Sequence, residues 1–425
     1  LINEPDGLAA YYDILVKDAF GNFRTLLKDV SLSPMMGKYL SYLGNAKADP
    51  AKGNHPADNY AREVMQLFTI GLYRLHQDGT TINDPATGIP LSTYTQDDIR
   101  EMARVFTGWS DDNGYFVVGG GDNTHHARTS PMVAFAQYHD TGAKHVLGTT
   151  FPANQSAEQD LDRAVGMLFH HPNIGPFIGR RLIQRLVTSN PSPGYISRVA
   201  AAFNNNGHGV RGDMKAVVRA ILLDPEALHG ADTHPQTFGK VREPLLGISH
   251  LWRAFNAHNK LCTRRGEDES SPVYTYNCFH FEAARSFLQQ NAAQESLTVF
   301  NYFTPDDGPA DLKAHSLVAP ERMVLGIDGL HHIFMSFALE TYTYDTYEVG
   351  AHLDVSAERN LLDVGKYNEL LERLNILLLA GRMTPDMKQT LLHFIQANKD
   401  TTEHDFLTRN LIALIMTSAQ YAVQR

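Results

Sequence analysis

Residues 58–72, DNYAREVMQLFTIGL, carry the reading on which the fold turns. Placed at 100° per residue, Tyr60, Ala61, Val64, Leu67, Phe68 and Gly71 fall on one side, and Asn59, Arg62, Glu63 and Gln66 on the other. A strand would alternate every second residue, so this 3.6-residue period predicts an amphipathic helix. Residues 95–106 repeat it: Ile99, Met102, Ala103 and Phe106 form an apolar face, with Asp97, Glu101 and Arg104 opposite. Outward from this pair, the same period predicts helices at 7–20, from Ser33-Pro34, and from Ser156, where Ser156 and Gln159 make a capping box. Further helices are expected at 172–187, 193–204, 213–223, 242–257, 320–339, 366–380, 385–398 and 405–422. Between residues 77 and 94 lies a turn-rich loop. GYFVV (114–118) and MVAFAQY (132–138) read as short β-type runs around a Gly- and His-rich excursion. The fold expected is mainly α: a single large multi-helix assembly with a small β-hairpin insertion. Residues 1–257 form the helical core, with loop and hairpin inserted at about 77–156. Residues 258–425 supply an irregular loop and a C-terminal helical part on the same core.

Composition narrows the function classes. A chain of 425 residues with 43% hydrophobic and 20% charged residues is ordinary globular material. Its 37 Lys and Arg against 47 Asp and Glu leave −10, without a clustered basic run, which argues against nucleic acid as a partner. No apolar stretch approaches the roughly 20 residues of a membrane span, so no transmembrane segment is expected. Phosphate loops, GxGxxG and GxSxG elbows do not occur. The chain opens on Leu1 with no basic leader or apolar signal core, and reads as a processed protein or a piece of a longer precursor. Cys262 and Cys278 flank one polar loop. That spacing suits a disulfide in an oxidising compartment, or else two unrelated thiols in a reducing one.

Three places could hold chemistry. The two polar stripes, Asn59, Arg62, Glu63 and Gln66 and then Asp97, Glu101 and Arg104, would approach each other if their helices packed antiparallel. Arg62 and Glu101 would then be buried at the junction; the bland alternative is solvated surface laced with weak ion pairs. In YHDTGAKHVLG (138–148), His139 with Asp140 at a strand end could act as general base and orienter, with Lys144 neutralising an anion. The alternative there is a turn built by Asp140 and Gly142 around a structural histidine. Doublets His170-His171 and His331-His332 are poor metal sites on helices, because adjacent side chains diverge by about 100°; His125-His126 lies in a loop, where that objection weakens, but nothing marks a third ligand.

Read in order, NYAREVMQLFTIGL, YTQDDIREMARVFTGW, YHDTGAKHVLG, FIGRRLIQRLV, GKVREPLL, VFNYFTPDDGPADL with APERM, and SAQYAVQR resemble the bacterial family called domain of unknown function 1800. The resemblance covers nearly the whole chain, departing in the longer 77–94 segment and the 111–131 loop. It implies export to the periplasm or outside the cell, and a sulfatase-like companion protein. It also marks Asn59, Arg62, Glu63, Asp97, Asp98, Glu101, Arg104, Trp109, His139, Asp140 and Lys144 as motif positions. The leading expectation is an acid–base enzyme, a hydrolase or lyase acting on an extracellular polymer or glycoconjugate. In it His139, Asp140, Glu63 and Glu101 are catalytic, and Asn59, Arg62, Arg104, Lys144 and Trp109 hold substrate. The rival is a non-catalytic binding or assembly module in which the same residues form a buried ion-pair network. A third expectation is a divalent metal, with Asp97 and Asp98 among its candidate ligands. Family membership alone supplies no reaction.

Overall fold

The computed structural model describes residues 4–120, 128–259, 261–265, 273–277, 296, 299–325 and 351–425, with backbone only at 258–259, 261–265, 273–277, 325 and 351–352. The protein is mainly helical, with small two-stranded antiparallel sheets. Two compact units divide it: residues 1–187 with 191–233, and residues 188–190 with 234–425.

The first unit begins with α1 (Pro5–Asp18), α2 (Phe23–Leu32) and α3 (Pro34–Tyr39). No helix is expected from the sequence at α2, whose start is fixed by Asn22 accepting from the Arg24 N–H at 2.9 Å. Next comes α4 (Asn59–Gln66), burying Tyr60, Ala61, Val64 and Met65. It stops six residues short of the expected Leu72. The Phe68 N–H turns back to the Glu63 carbonyl, and those of Ile70 and Gly71 to Met65. Gly71 sits at φ +72, where an added Cβ would lie 2.7 Å from the Phe177 ring, so the turn after this helix needs glycine. The segment after it folds into a ladder of bridges, Tyr73 to Ser92, Leu75 to Thr81 and Asn83 to Pro90. Asn173 anchors this ladder: its amide donates to the Ile70 and Tyr73 carbonyls and its oxygen accepts from the Leu75 N–H.

The fifth helix, α5 (Gln96–Val105), starts where expected, with Thr95 and Asp98 completing a capping box. The strand β1 (Trp109–Ser110) pairs with β2 (Val133–Ala134). MVAFAQY therefore finds its partner at Trp109–Ser110 rather than GYFVV, which forms no strand. The two runs meet through rings instead, Phe116 stacking on Tyr138 at 3.9 Å between centroids. A tight hairpin follows, β3 (Lys144–Val146) against β4 (Thr149–Phe151), turning through Leu147 and Gly148 at positive φ. Helices α6 (Ala157–His170), α7 (Ile174–Leu186), α8 (Pro193–Asn204), α9 (Met214–Leu222) and α10 (Pro225–Thr233) complete the unit. The Ser156–Gln159 capping box forms as the sequence predicts.

The second unit starts with β5 (Lys240–Val241) and α11 (Pro244–Ala254). The division thus falls after Thr233, ahead of the expected 257/258 boundary. The reason is packing: Ile248, Leu251 and Phe255 are buried in one apolar cluster with Leu370, Leu374, Leu378, Leu411 and Ile415. Those leucines come from helices Tyr367–Leu379 and His404–Met416, with Pro385–Asn398 beside them. The stretch read as irregular from 259 to 280 contains paired strands Leu261–Arg265 and Val273–Asn277. The expected helix at 320–339 begins as a 3-10 turn, Pro320–Leu325, and its remainder lies outside the described residues. The Cys262–Cys278 pairing, His125-His126 and His331-His332 also lie outside them as side chains.

Candidate functional site

The motif YHDTGAKHVLG is held against α5 and α6 by charge. Alternation along β3 buries Lys144 and Val146 and exposes His145. The Lys144 ammonium donates to Asp160 Oδ2 at 2.7 Å, to the Gly142 carbonyl at 3.1 Å and to the Asp140 carbonyl. All three of its protons are therefore engaged. His139 lies beside it, 1% exposed, with Nε2 at 3.2 Å from the same Asp160 Oδ2 and Nδ1 at 2.9 Å from the Thr107 carbonyl oxygen. Neither ring nitrogen meets open space. Asp160 itself is 0% exposed, and its Oδ1 has no hydrogen-bond partner among the described residues.

Asp160 was not among the residues singled out from the sequence. A signal was there: Ala157, Leu161, Ala164, Val165 and Leu168 form the buried stripe of α6, and Asp160 lies within it. An acid on an apolar stripe demands a buried partner.

Asp140, expected to orient His139, is turned the other way. Arg104 grips its carboxylate as a fork, Nε to Oδ2 at 2.8 Å and the second nitrogen to Oδ1 at 3.0 Å. The remaining guanidinium nitrogen of Arg104 donates to both Glu101 oxygens, at 2.9 and 2.8 Å, and to the Ala143 carbonyl at 3.1 Å. Burial pushes the Asp140 carboxyl up, but the Arg104 fork, the Gly142 N–H and Lys144 outweigh it and hold the group below the usual range. Asp140's hydrogen bond in turn raises Arg104, against the opposing effect of burial. A Cβ on Gly142 would lie 2.6 Å from the Arg104 guanidinium, so the turn must be glycine for the fork to close.

Backbone amides complete the junction. Glu101 accepts from the His145 N–H at 3.1 Å and Asp98 from the Leu147 N–H at 2.6 Å, while Asp98 also caps its own helix at Thr95. Burial raises the Asp98 carboxyl, and the Leu147 and Thr95 donors overcome this and lower it. Asp97 stands in solvent with Arg100 at 2.6 Å. Trp109 is 4% exposed in β1, its indole Nε1 without a partner among the described residues. No group of three or more His, Cys, Asp or Glu that could hold a metal occurs among the described residues.

The two polar stripes do not join. In that of α5, Glu101 and Arg104 bond β3 and the turn before it while Asp97 stays in solvent; in that of α4, Asn59 is exposed and Arg62 and Gln66 are half-buried. Among the described residues Arg62 pairs with Asp58, at 3.0 Å, and both side chains are more than a third exposed, at 35% and 41%. The expectation that Arg62 is buried at a helix junction is thus corrected. Asn59 approaches Ser41 at 3.5 Å, and Gln66 accepts from the Tyr94 hydroxyl at 3.0 Å. Glu63 alone in this stripe is buried, 7% exposed, with Oε2 lacking any partner among the described residues. Burial pushes its carboxyl up, only partly offset by Arg62.

In the second unit three more motif stretches converge. The strand β5 of GKVREPLL pairs with Val423–Gln424 of SAQYAVQR, and Lys240 bonds Glu321 of APERM at 3.0 Å, both buried. Arg242 lies 4.2 Å above the Tyr421 ring, on which His250 also stacks. Burial, with Arg242 adding to it, pushes the His250 imidazole down.

These features define a mainly helical protein with a buried Lys144–Asp160–His139 cluster in its first unit and a buried Lys240–Glu321 pair in its second. The chain matches the family model described as "Protein of unknown function (DUF1800)" over residues 3–423, and it belongs to that family. No curated protein and no solved structure matches it. No described helix is long and apolar enough to cross a membrane.

Proposed function

We propose that this chain is an exported, non-catalytic binding or assembly module, and that the YHDTGAKHVLG motif is a lock that sets its helices. One observation carries the reading: Asp160, 0% exposed, receives both Lys144 and His139, themselves 2% and 1% exposed. A general base needs a lone pair facing substrate, and an anion-binding lysine needs a free proton; neither is offered here. A buried charge cluster of this kind needs no substrate to be retained, because removing one member strands the others. Export, an oxidised Cys262–Cys278 bridge and a sulfatase-like companion rest on the family resemblance and belong to this reading.

The test is His139→Ala in the full chain. A lock loses stability in the first unit, seen as a lower melting temperature by circular dichroism. A catalytic histidine would leave the melt unchanged while abolishing turnover, and that result would overturn the reading. Co-expression with the sulfatase-like companion followed by size-exclusion chromatography tests the assembly half. Co-elution is expected; separate elution of two folded proteins would remove the companion from the proposal.

The acid–base alternative keeps one observation in its favour. Glu63, with its carboxyl pushed up by burial, has the character of a general acid. In that reading Glu63, on α4, is the proton donor and His139 takes no part in the chemistry.

A further inference from the structure

The outer face of α1 is open to solvent although its sequence suits an interior. From Gly7 to Val16 the helix reads GLAAYYDILV, apolar nearly all round, yet of α1's residues only Gly7 and Asp18 are buried. A helix of that composition ordinarily has a second layer over it. Tyr12, Val16 and Phe20 recur one turn apart and stand 41%, 74% and 64% exposed. Beside them runs an open groove of about 720 Å³, whose lining includes Ala9, Ala10 and Ile14 with Asp6, Asp13 and Lys17. Charge is laid out unevenly along this face. Asp6 and Asp13 lie toward its N-terminal end and Lys17 at its C-terminal end. Among the described residues neither aspartate side chain has an ion pair or a hydrogen bond. Lys17 donates to Asp29 at 2.8 Å, which engages one of its three protons. Within one chain Asp6 and Lys17 cannot meet, since their separation along the helix axis is about 16 Å.

We propose that α1 is the seam of a two-fold dimer, packing antiparallel on α1 of a second copy of this chain. Charge fixes both the partner and the register. Setting Asp6 of one copy opposite Lys17 of the other also sets Ala9 opposite Ile14 and Ala10 opposite Asp13, each pairing occurring twice by symmetry. A parallel copy would bring aspartate to aspartate and lysine to lysine. A basic helix would repel Lys17, and an acidic one would repel Asp6 and Asp13. Only a face carrying the same charges in reverse order answers both ends. The central alanines let the two backbones approach toward the near end, about 8 Å, of the usual range for packed helices. Tyr12, Val16 and Phe20 then lose solvent along one flank of the seam. A face this narrow makes a weak, concentration-dependent dimer. The inference goes beyond the module reading and is independent of the lock, since a catalytic chain could pair in the same way.

The experiment is analytical ultracentrifugation of the full chain from about 1 µM to about 1 mM, a span that brackets weak association. Parent, Val16→Asp, Asp6→Lys and Lys17→Glu chains are compared, each checked for its fold by circular dichroism. All three positions are exposed, so the fold should survive each change. The parent should pass from one chain mass to twice that mass as concentration rises. Val16→Asp should weaken this association by about tenfold or more, because it brings a charge into the apolar flank. Asp6→Lys and Lys17→Glu should each weaken it too, by setting like charges opposite each other. An equimolar mixture of those two variants should dimerise again with one copy of each, since every pair across the seam is then opposite in sign. A parent that stays monomeric throughout overturns the proposal and leaves the face to a different partner. A dimer indifferent to Val16→Asp places the interface elsewhere and also overturns it. Charge variants that fail to associate on mixing overturn the antiparallel register.

Discussion

Replacing Asp160 by Asn keeps the shape of the side chain and removes its charge. In the parent, Lys144 and Asp160 lie 2.7 Å apart with side chains 0% exposed, so the pair is wholly desolvated. The variant leaves an ammonium buried among carbonyl dipoles without its paired carboxylate, the nearby Asp140 being taken up by Arg104, and His139 loses the same partner. Stranding one member of such a pair costs about 3–5 kcal/mol. For a folding unit of about 150–250 residues, each kcal/mol moves the melting temperature by about 2–4 °C. A fall of roughly 10 °C in the transition of the first unit is therefore expected, read by circular dichroism and by urea titration. Lys144→Met, removing the other charge, should cost a similar amount. Lys144→Met with Asp160→Leu should recover most of the loss, because an apolar replacement of both partners is close to neutral. That coupling, above about 1 kcal/mol, is the signature of a direct pair. If Asp160→Asn lies within about 1 kcal/mol of the parent and the two single substitutions simply add, the lock does not exist and the reasoning fails.

Arg62→Ala should shift stability by no more than about 1 kcal/mol, because its pair with Asp58 is half in solvent, whereas Arg104→Ala should cost about 2–3 kcal/mol by stranding Asp140 and Glu101; equal effects in urea titrations would contradict the contrast. Glu63 has a folded pKa raised above its unfolded value, so the folded chain holds its proton longer and stability falls as pH rises through the raised value. Glu63→Gln should flatten that decline, and a pH–stability curve superimposable on the parent's would refute it. Protein recovered from its native compartment should carry a Cys262–Cys278 bridge worth roughly 3 kcal/mol for a loop of about 15 residues, and two free thiols by mass spectrometry would dismiss it.

Local sequence determined the helices and the positions where they start. Thr95 with Asp98, Ser156 with Gln159, Pro193 and Pro385 each mark a start from groups within a few residues, so the outcome does not depend on the rest of the chain. Periodicity likewise told which face of α4 and α5 is apolar, because 3.6 residues per turn is a property of the backbone alone. It could not tell what covers the polar face. The stripes of α4 and α5 look alike in sequence; β3 and its turn, about 40 residues downstream of α5, supply partners to Glu101 and Arg104 of one, while Arg62 of the other pairs with Asp58 a turn away. The same limit explains Asp140, whose neighbour in sequence is His139 but whose partner is Arg104, 36 residues away. Asp160 joins Lys144 and His139 only once α6 packs against the hairpin, bringing charges together across 16 and 21 residues. Which side chains carry the polar positions was thus a local matter. Which charges share a partner was settled by tertiary packing, because burial turns a weak, screened attraction into one that a single counter-ion must satisfy.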